Sequence, residues 1–225
     1  MIAVSGKGLF IDLDGTLADS LSVMRTAYDD FLKHFGKTGN DVEFDLLNGP
    51  PLKTVVITLA DVHHLSPSTD ELILIYKEII KAAYKDVCPN IGAVELLKTA
   101  KDLGWKIGVV TSNSSNLTWA WLGRFELNAM IDTVVAGGEV THGKPHPLPY
   151  LLALARTECL ADISLAVEDS KTGAQASMAA GLQTLFLSRD RECEDVLPGA
   201  FAISTLKDAT TFLIEKHQKQ RAIEQ

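Results

Sequence analysis

Two aspartates one residue apart, Asp12 and Asp14, close an apolar run in the segment GLFIDLDGTLADS, residues 8–20. Buried acids need partners, and strand interiors rarely hold two of them. Further along, Thr111-Ser112-Asn113 follow the apolar run IGVV, and Glu168-Asp169-Ser170 follow SLAV. Each group stands where an apolar run ends. Four carboxylates brought together would repel strongly, and hard oxygen donors of this kind suit a divalent cation. Mg²⁺ in particular keeps waters and takes oxygens from a substrate phosphate.

The elements that must position these groups read as strands and helices in alternation. Short apolar runs at 8–13, 105–110, 131–135, 163–167, 184–187 and 200–203 lack clear alternation, as strands covered on both faces do. Helical patterns lie between most of them, at 91–103 with Gly104 as its C-terminal stop, 115–125, 147–157, 170–180 and 205–218. This order predicts an α/β fold with a doubly wound parallel sheet. Ligands of such sheets bind beyond the carboxyl ends of the strands, where Asp12, Thr111 and Glu168 fall. One stretch breaks the rhythm. Residues 20–36, 51–64 and 68–87 read helical, the last with Ser68 three before Glu71 as a capping box. A helical insert thus follows the first strand, with the core at 1–16 and 88–225 and the insert at 17–87.

Composition bounds the function. A net charge of −8, without a long basic run, argues against a nucleic-acid backbone as partner. No window approaches the roughly 18 apolar residues of a membrane span, and the first ten residues do not form a signal peptide. Cys88, Cys159 and Cys193 are an odd set without C-x-x-C spacing, read as reduced thiols and small buried hydrophobes of a cytoplasmic protein. The C-terminal EKHQKQRAIEQ reads as a helix end fraying into solvent.

DLDGTLADS, IGVVTS, GKPHP (143–147) and VEDSKTGAQASMAAGL (167–182) together resemble the motifs of the haloacid dehalogenase-like hydrolase superfamily. The match is to its phosphoglycolate phosphatase and β-phosphoglucomutase branch, and it covers the whole chain. The resemblance implies a Rossmann-like core with a helical cap domain and phosphatase chemistry on a small phosphorylated metabolite. Asp12 resembles the nucleophile that forms an aspartyl-phosphate, and Asp14 the general acid and base. Asp12, the Asp14 carbonyl, Glu168 and Asp169 resemble the Mg²⁺ site. Thr111 and the N–H groups of Ser112 and Asn113, with Gly15, resemble the phosphoryl cradle, and Lys144 pairs with phosphate and Asp12. In NGPPLK (48–53), Gly49 and Lys53 resemble a cap loop that meets an anionic substrate tail. The hinges fall at Gly15-Thr16 and 86–91.

Several plainer readings compete. DLDG on its own also opens calcium loops, but Gly15 stands fourth where such loops need it sixth. Glu168 and Asp169 also suit a helix cap, Asp19 a helix N-terminus, and Thr111 a turn. His142 and His146 flank Lys144, yet Gly143, Pro145 and Pro147 forbid the helix that zinc spacing requires. His63-His64 reads as a solvated helix end. Leu148 replaces the acid that the branch usually carries after K-P-x-P, a loss expected to weaken a cap or a contact to the lysine. The segment SLSVMRTAY lacks the histidine of β-phosphoglucomutases, which favours transfer to water. A dehalogenase needs neither a second acid nor a metal, and a binding protein keeping only the fold would have no use for the intact set.

Overall fold

In a computed structural model, residues 6–47, 50–188 and 197–223 are described. Six strands form one parallel sheet: β1 (Gly8–Ile11), β2 (Lys106–Val110), β3 (Thr133–Val135), β4 (Leu165–Glu168), β5 (Gln183–Leu187) and β6 (Phe201–Ile203). Their order is β3-β2-β1-β4-β5-β6, so the winding reverses between β1 and β4. A crevice opens at such a reversal, beyond the carboxyl ends of the strands. All four residues of β1 and of β4 are buried, which is why these runs carry no alternation.

The two faces of the sheet have separate cores. Leu9 and Ile11 join Leu96, Leu97 and Leu213 on one face. Phe10 turns to the other with Tyr150, Ala153 and Ala176. A Cβ on Gly8 would stand 2.5 Å from the Phe10 ring and one on Gly108 2.7 Å, so both positions must be bare for the ring to lie flat against the strands. Five helices pack on these faces: α5 (Ala93–Asp102), α6 (Ser115–Arg124), α7 (Leu148–Thr157), α8 (Lys171–Ala179) and α9 (Leu206–Ile223). Four further helices all fall between β1 and α5.

Those four are α1 (Leu21–His34), α2 (Asp41–Leu47), α3 (Leu52–His63) and α4 (Thr69–Ala83). Phe31 of α1 stacks on Tyr76 of α4 at 4.4 Å, and Val56, Leu59 and Leu72 complete their shared core. The capping box of Ser68 and Glu71 is formed at the start of α4. Helix α2 escapes the sequence reading because it buries no residue and so leaves no apolar period. Where the chain enters and leaves this helical segment, the two passages bond to each other. Asn90 Nδ2 donates to the carbonyls of Thr16 at 3.0 Å and Gly15 at 3.4 Å, and Asp19 N donates to Cys88 O.

Three expectations need correction. His63 is not solvated: its Nε2 lies 3.0 Å from Glu43 Oε2, and Glu43 also accepts from Tyr28. Residues 215–223 of the C-terminal stretch do not fray but continue α9, because Lys216 reaches Gln183, Gln220 reaches the Ile163 carbonyl and Trp105 donates to His217, while 224–225 lie outside the described residues. Of the cysteines, Cys159 is buried but Cys88 is exposed, and Cys193 lies outside the described residues. Among the described residues, no helix is long and apolar enough to cross a membrane.

Candidate active site

At the carboxyl end of β1 the chain passes through Asp12 and Asp14 and then turns at Gly15. That glycine sits at φ 79°, and a Cβ there would stand 1.9 Å from Asp169 Oδ2. Its N–H is held by Ser20 Oγ and the Ala18 carbonyl, so what this position gives the site is room for Asp169 rather than a donor. A second bare position has the same purpose. A Cβ on Gly173, in the first turn of α8, would stand 2.0 Å from Glu168 Oε2. Gly137 lets the phosphate-loop candidate approach, since a Cβ there would lie 2.0 Å from Ser112 O.

Lys144 is the centre of the buried charge. Its Nζ lies 2.5 Å from Asp12 Oδ1, 2.6 Å from Glu168 Oε1 and 2.9 Å from the Val110 carbonyl. Glu168 is wholly buried and also accepts from the Tyr150 hydroxyl. Burial pushes Lys144 down, but the charges of Asp12 and Glu168 more than offset it and hold the ammonium well above the ordinary lysine range. Burial pushes Asp12 well above the usual carboxylate range. Lys144 pulls it back only in part, while Glu168, Asp169 and Asp14 add to the rise. Among the described residues, Lys144 pairs directly with two of these acids, Asp12 and Glu168.

Asp14 has three donors. Tyr84 Oη and Ser20 Oγ reach its Oδ1 at 2.6 and 2.9 Å, and Asn113 Nδ2 reaches Oδ2 at 3.2 Å. The Asn113 N–H donates to Thr111 Oγ1 at 3.0 Å, so strand end and loop are locked together. Asp12, Asp14, Thr111, Ser112, Asn113 and Lys144 line one cavity of about 1250 Å³ with Asp169. Its opposite wall comes from the helices between β1 and α5, including Met24, Tyr28, Phe44 and Tyr76, and the exposed Lys53 lies on it. Pro51 touches the core side, 2.9 Å from where a Gly143 Cβ would stand. Gly49 falls outside the described residues.

The carboxylates can hold a divalent cation. One oxygen each of Asp12, Glu168 and Asp169 lies within 4.8 Å of the others. The donors are all hard oxygens, which suit Mg²⁺, Mn²⁺ or Ca²⁺ and not a thiolate-loving metal. A cation would also offset the burial, and with it the neighbouring acids, that raise Asp12. Glu168 spends Oε1 on Lys144 and Tyr150, and Asp12 spends Oδ1 on Lys144, so a cation would share these acids with the lysine.

Sequence reasoning missed Tyr84, Tyr150 and the diverted Ser20. Ser20 was in plain view as the last residue of DLDGTLADS. Tyr150, within PLPYLLALA, carries only the signal of a core-facing helix position, and Tyr84 only that of a helix end. His146 supplies what Leu148 lacks, since its Nδ1 accepts the Leu148 N–H at 3.1 Å.

With this arrangement in view, the chain belongs to the haloacid dehalogenase-like hydrolase family, whose model matches residues 9–187. It is similar to a phosphorylated carbohydrates phosphatase of Thermotoga maritima, 26% identical over 181 residues, 80% of this chain and 84% of that one. A phosphoglycolate phosphatase of Nitrosospira multiformis is 29% identical over 215 residues, 89% of this chain and 95% of that one. In fold, the chain matches the crystal structure of a hydrolase from Pseudomonas syringae with a TM-score of 0.79, over 93% of this chain and 98% of that one at 21% identity.

Proposed function

We propose that the protein is an Mg²⁺-dependent phosphomonoesterase acting on a small phosphorylated metabolite of the phosphoglycolate or sugar-phosphate type. The observation that carries this reading is Lys144 Nζ at 2.5 Å from Asp12, on a cavity that Asp14 and Thr111 also line. A lysine so placed keeps Asp12 oriented and meets a phosphoryl oxygen. Residues 17–87 would act as a cap domain over a core of 1–16 and 88–225, excluding water while the phosphoryl group is in transit.

In this mechanism Asp12 attacks phosphorus, and the bond to the alcohol oxygen breaks as Asp14 gives that oxygen a proton. Water then attacks the aspartyl-phosphate, Asp14 takes the proton back, and inorganic phosphate leaves. Thr111 and the Ser112 and Asn113 backbone hold the phosphoryl oxygens. Release of the Asn113 N–H from Thr111 Oγ1 would accompany this binding. Lys53, exposed on the cavity wall, would meet an anionic tail. The cation, held by Asp12, Asp169 and the Asp14 carbonyl oxygen, would neutralise charge between nucleophile and phosphate. Glu168 anchors Lys144.

The test is phosphate release from sugar phosphates, phosphoglycolate, nucleoside monophosphates and pyrophosphate, with Mg²⁺ and with EDTA. Turnover of a phosphate ester that EDTA abolishes is the expected result. A folded, metal-supplied protein that releases phosphate from none of them would overturn the reading.

A further inference from the structure

A serine just before a helix ordinarily accepts a bond from the first helical turn. Ser20 stands there before α1, yet its hydroxyl makes no such cap. It is fully buried, donates to Asp14 Oδ1 at 2.9 Å and accepts the Gly15 N–H at 3.0 Å. At the other end of the helical segment, Tyr84 is 3% exposed and donates to the same oxygen at 2.6 Å. Both hydroxyls converge on Oδ1. Oδ2, met by the longer contact from Asn113 at 3.2 Å, is left as the oxygen that can exchange a proton.

Tyr84 is itself held from the core. Arg124, at the end of α6, donates to the carbonyl of Tyr84 at 3.0 Å and also to those of Lys85 and Val87. Trp121, one turn earlier, donates to Val87 O at 2.9 Å. Helix α6 starts two residues after Asn113, so one rigid element carries both the loop that meets Asp14 Oδ2 and the clamp that sets Tyr84 over Oδ1.

We infer that Tyr84, together with Ser20, is a positioning residue that fixes Asp14 for proton transfer to the leaving alcohol. The inference rests on Asp14 acting as acid and base in the proposed phosphatase. In the step concerned, the Asp12 oxygen bonds to phosphorus, the bond from phosphorus to the alcohol oxygen breaks, and the carboxyl proton of Asp14 passes to that oxygen. An alkyl alcohol needs this proton. A nitrophenol leaves as a stable phenolate and hardly does.

The experiment compares kcat/KM for an alkyl phosphate and for p-nitrophenyl phosphate in wild type, Tyr84→Phe, Ser20→Ala and Asp14→Asn, with Mg²⁺ present. kcat/KM covers steps only through departure of the alcohol, so hydrolysis of the aspartyl-phosphate does not enter it. Since general acid catalysis contributes roughly 10²–10⁴-fold, Tyr84→Phe should lower the alkyl phosphate value by about 30-fold and the nitrophenyl value by less than about 3-fold. Inhibition by inorganic phosphate should be unchanged, because the cradle is untouched. Arg124→Lys, which cannot fork to three carbonyls, should give a weaker copy of the same pattern.

Equal losses on both substrates in a folded Tyr84→Phe protein, or no loss on either, would overturn the inference. Should Tyr84→Phe fail to fold, Ser20→Ala carries the test alone, since no helix cap is lost with it. A different outcome separates the underlying reading: if Asp14→Asn itself spares the alkyl phosphate, Asp14 is not the acid and both readings fall.

Discussion

Two ion clusters in this molecule are near mirror images. At the carboxyl end of the sheet, one ammonium, Lys144, sits between two carboxylates, Asp12 at 2.5 Å and Glu168 at 2.6 Å. At the amino end, one carboxylate, Asp132, sits between two ammonium groups, Lys101 and Lys106, both at 3.0 Å. The first is almost wholly dry. In the second, the lysine side chains are 34% and 52% exposed and Asp132 is 17% exposed. Water screens the amino-end cluster, so it adds little beyond tying the ends of β2 and β3. The dry cluster holds an excess of carboxylate in a place where desolvation makes every unpaired charge costly. A fold needs no such arrangement for stability, and the cost is understandable only if the acids serve chemistry.

The sharpest way to break this comparison is to remove the nucleophile. Asp12→Asn should lower phosphate release by about 10⁴-fold or more, as loss of a covalent nucleophile does. Its melting temperature should hold or rise, because one charge leaves a crowd of like charges. Retained turnover, or a clear loss of stability, would make the cluster structural after all. The next test exchanges the lysines. Lys144→Met, measured with EDTA present, should cost about 3–5 kcal/mol of stability, since it strands buried carboxylates, whereas Lys106→Met should cost about 1 kcal/mol or less. Chemical denaturation of the two variants decides it, and similar losses would erase the distinction between the two ends.

How far these sites can be read from sequence follows the same division. The parallel strands, the helical insert and the groups at the strand ends were legible because buried parallel strands leave unbroken apolar runs and their carboxyl ends must gather ligands, whereas their order in the sheet was not. Gly15 and Gly173 were legible as motif letters, but not their cause, which is the carboxylate that each must admit at about 2 Å from a missing Cβ. Tyr84 and Tyr150 were not legible. Each looks like a core aromatic, and its hydroxyl gains meaning only once Asp14 or Glu168 is placed beside it across the fold. Helix α2 was missed for the opposite reason, since none of its residues is fully buried.

The smallest expected effect sharpens the amino-end half. Burial pushes Asp132 up, but the Ile107 N–H bond and the two lysines outweigh it and hold the carboxyl below the ordinary aspartate value of 3.8. A group depressed in the folded state stabilises above its unfolded pKa and loses that contribution as pH falls through the folded value. The stability difference between wild type and Asp132→Asn should therefore be flat above about pH 5, near 1 kcal/mol for a partly exposed group, and shrink below about pH 4. Urea unfolding across pH 3–7 measures it. A difference that grew toward acid would mean the lysines do not hold Asp132 ionised, and the amino-end cluster would then owe its place to the backbone bond with Ile107 alone.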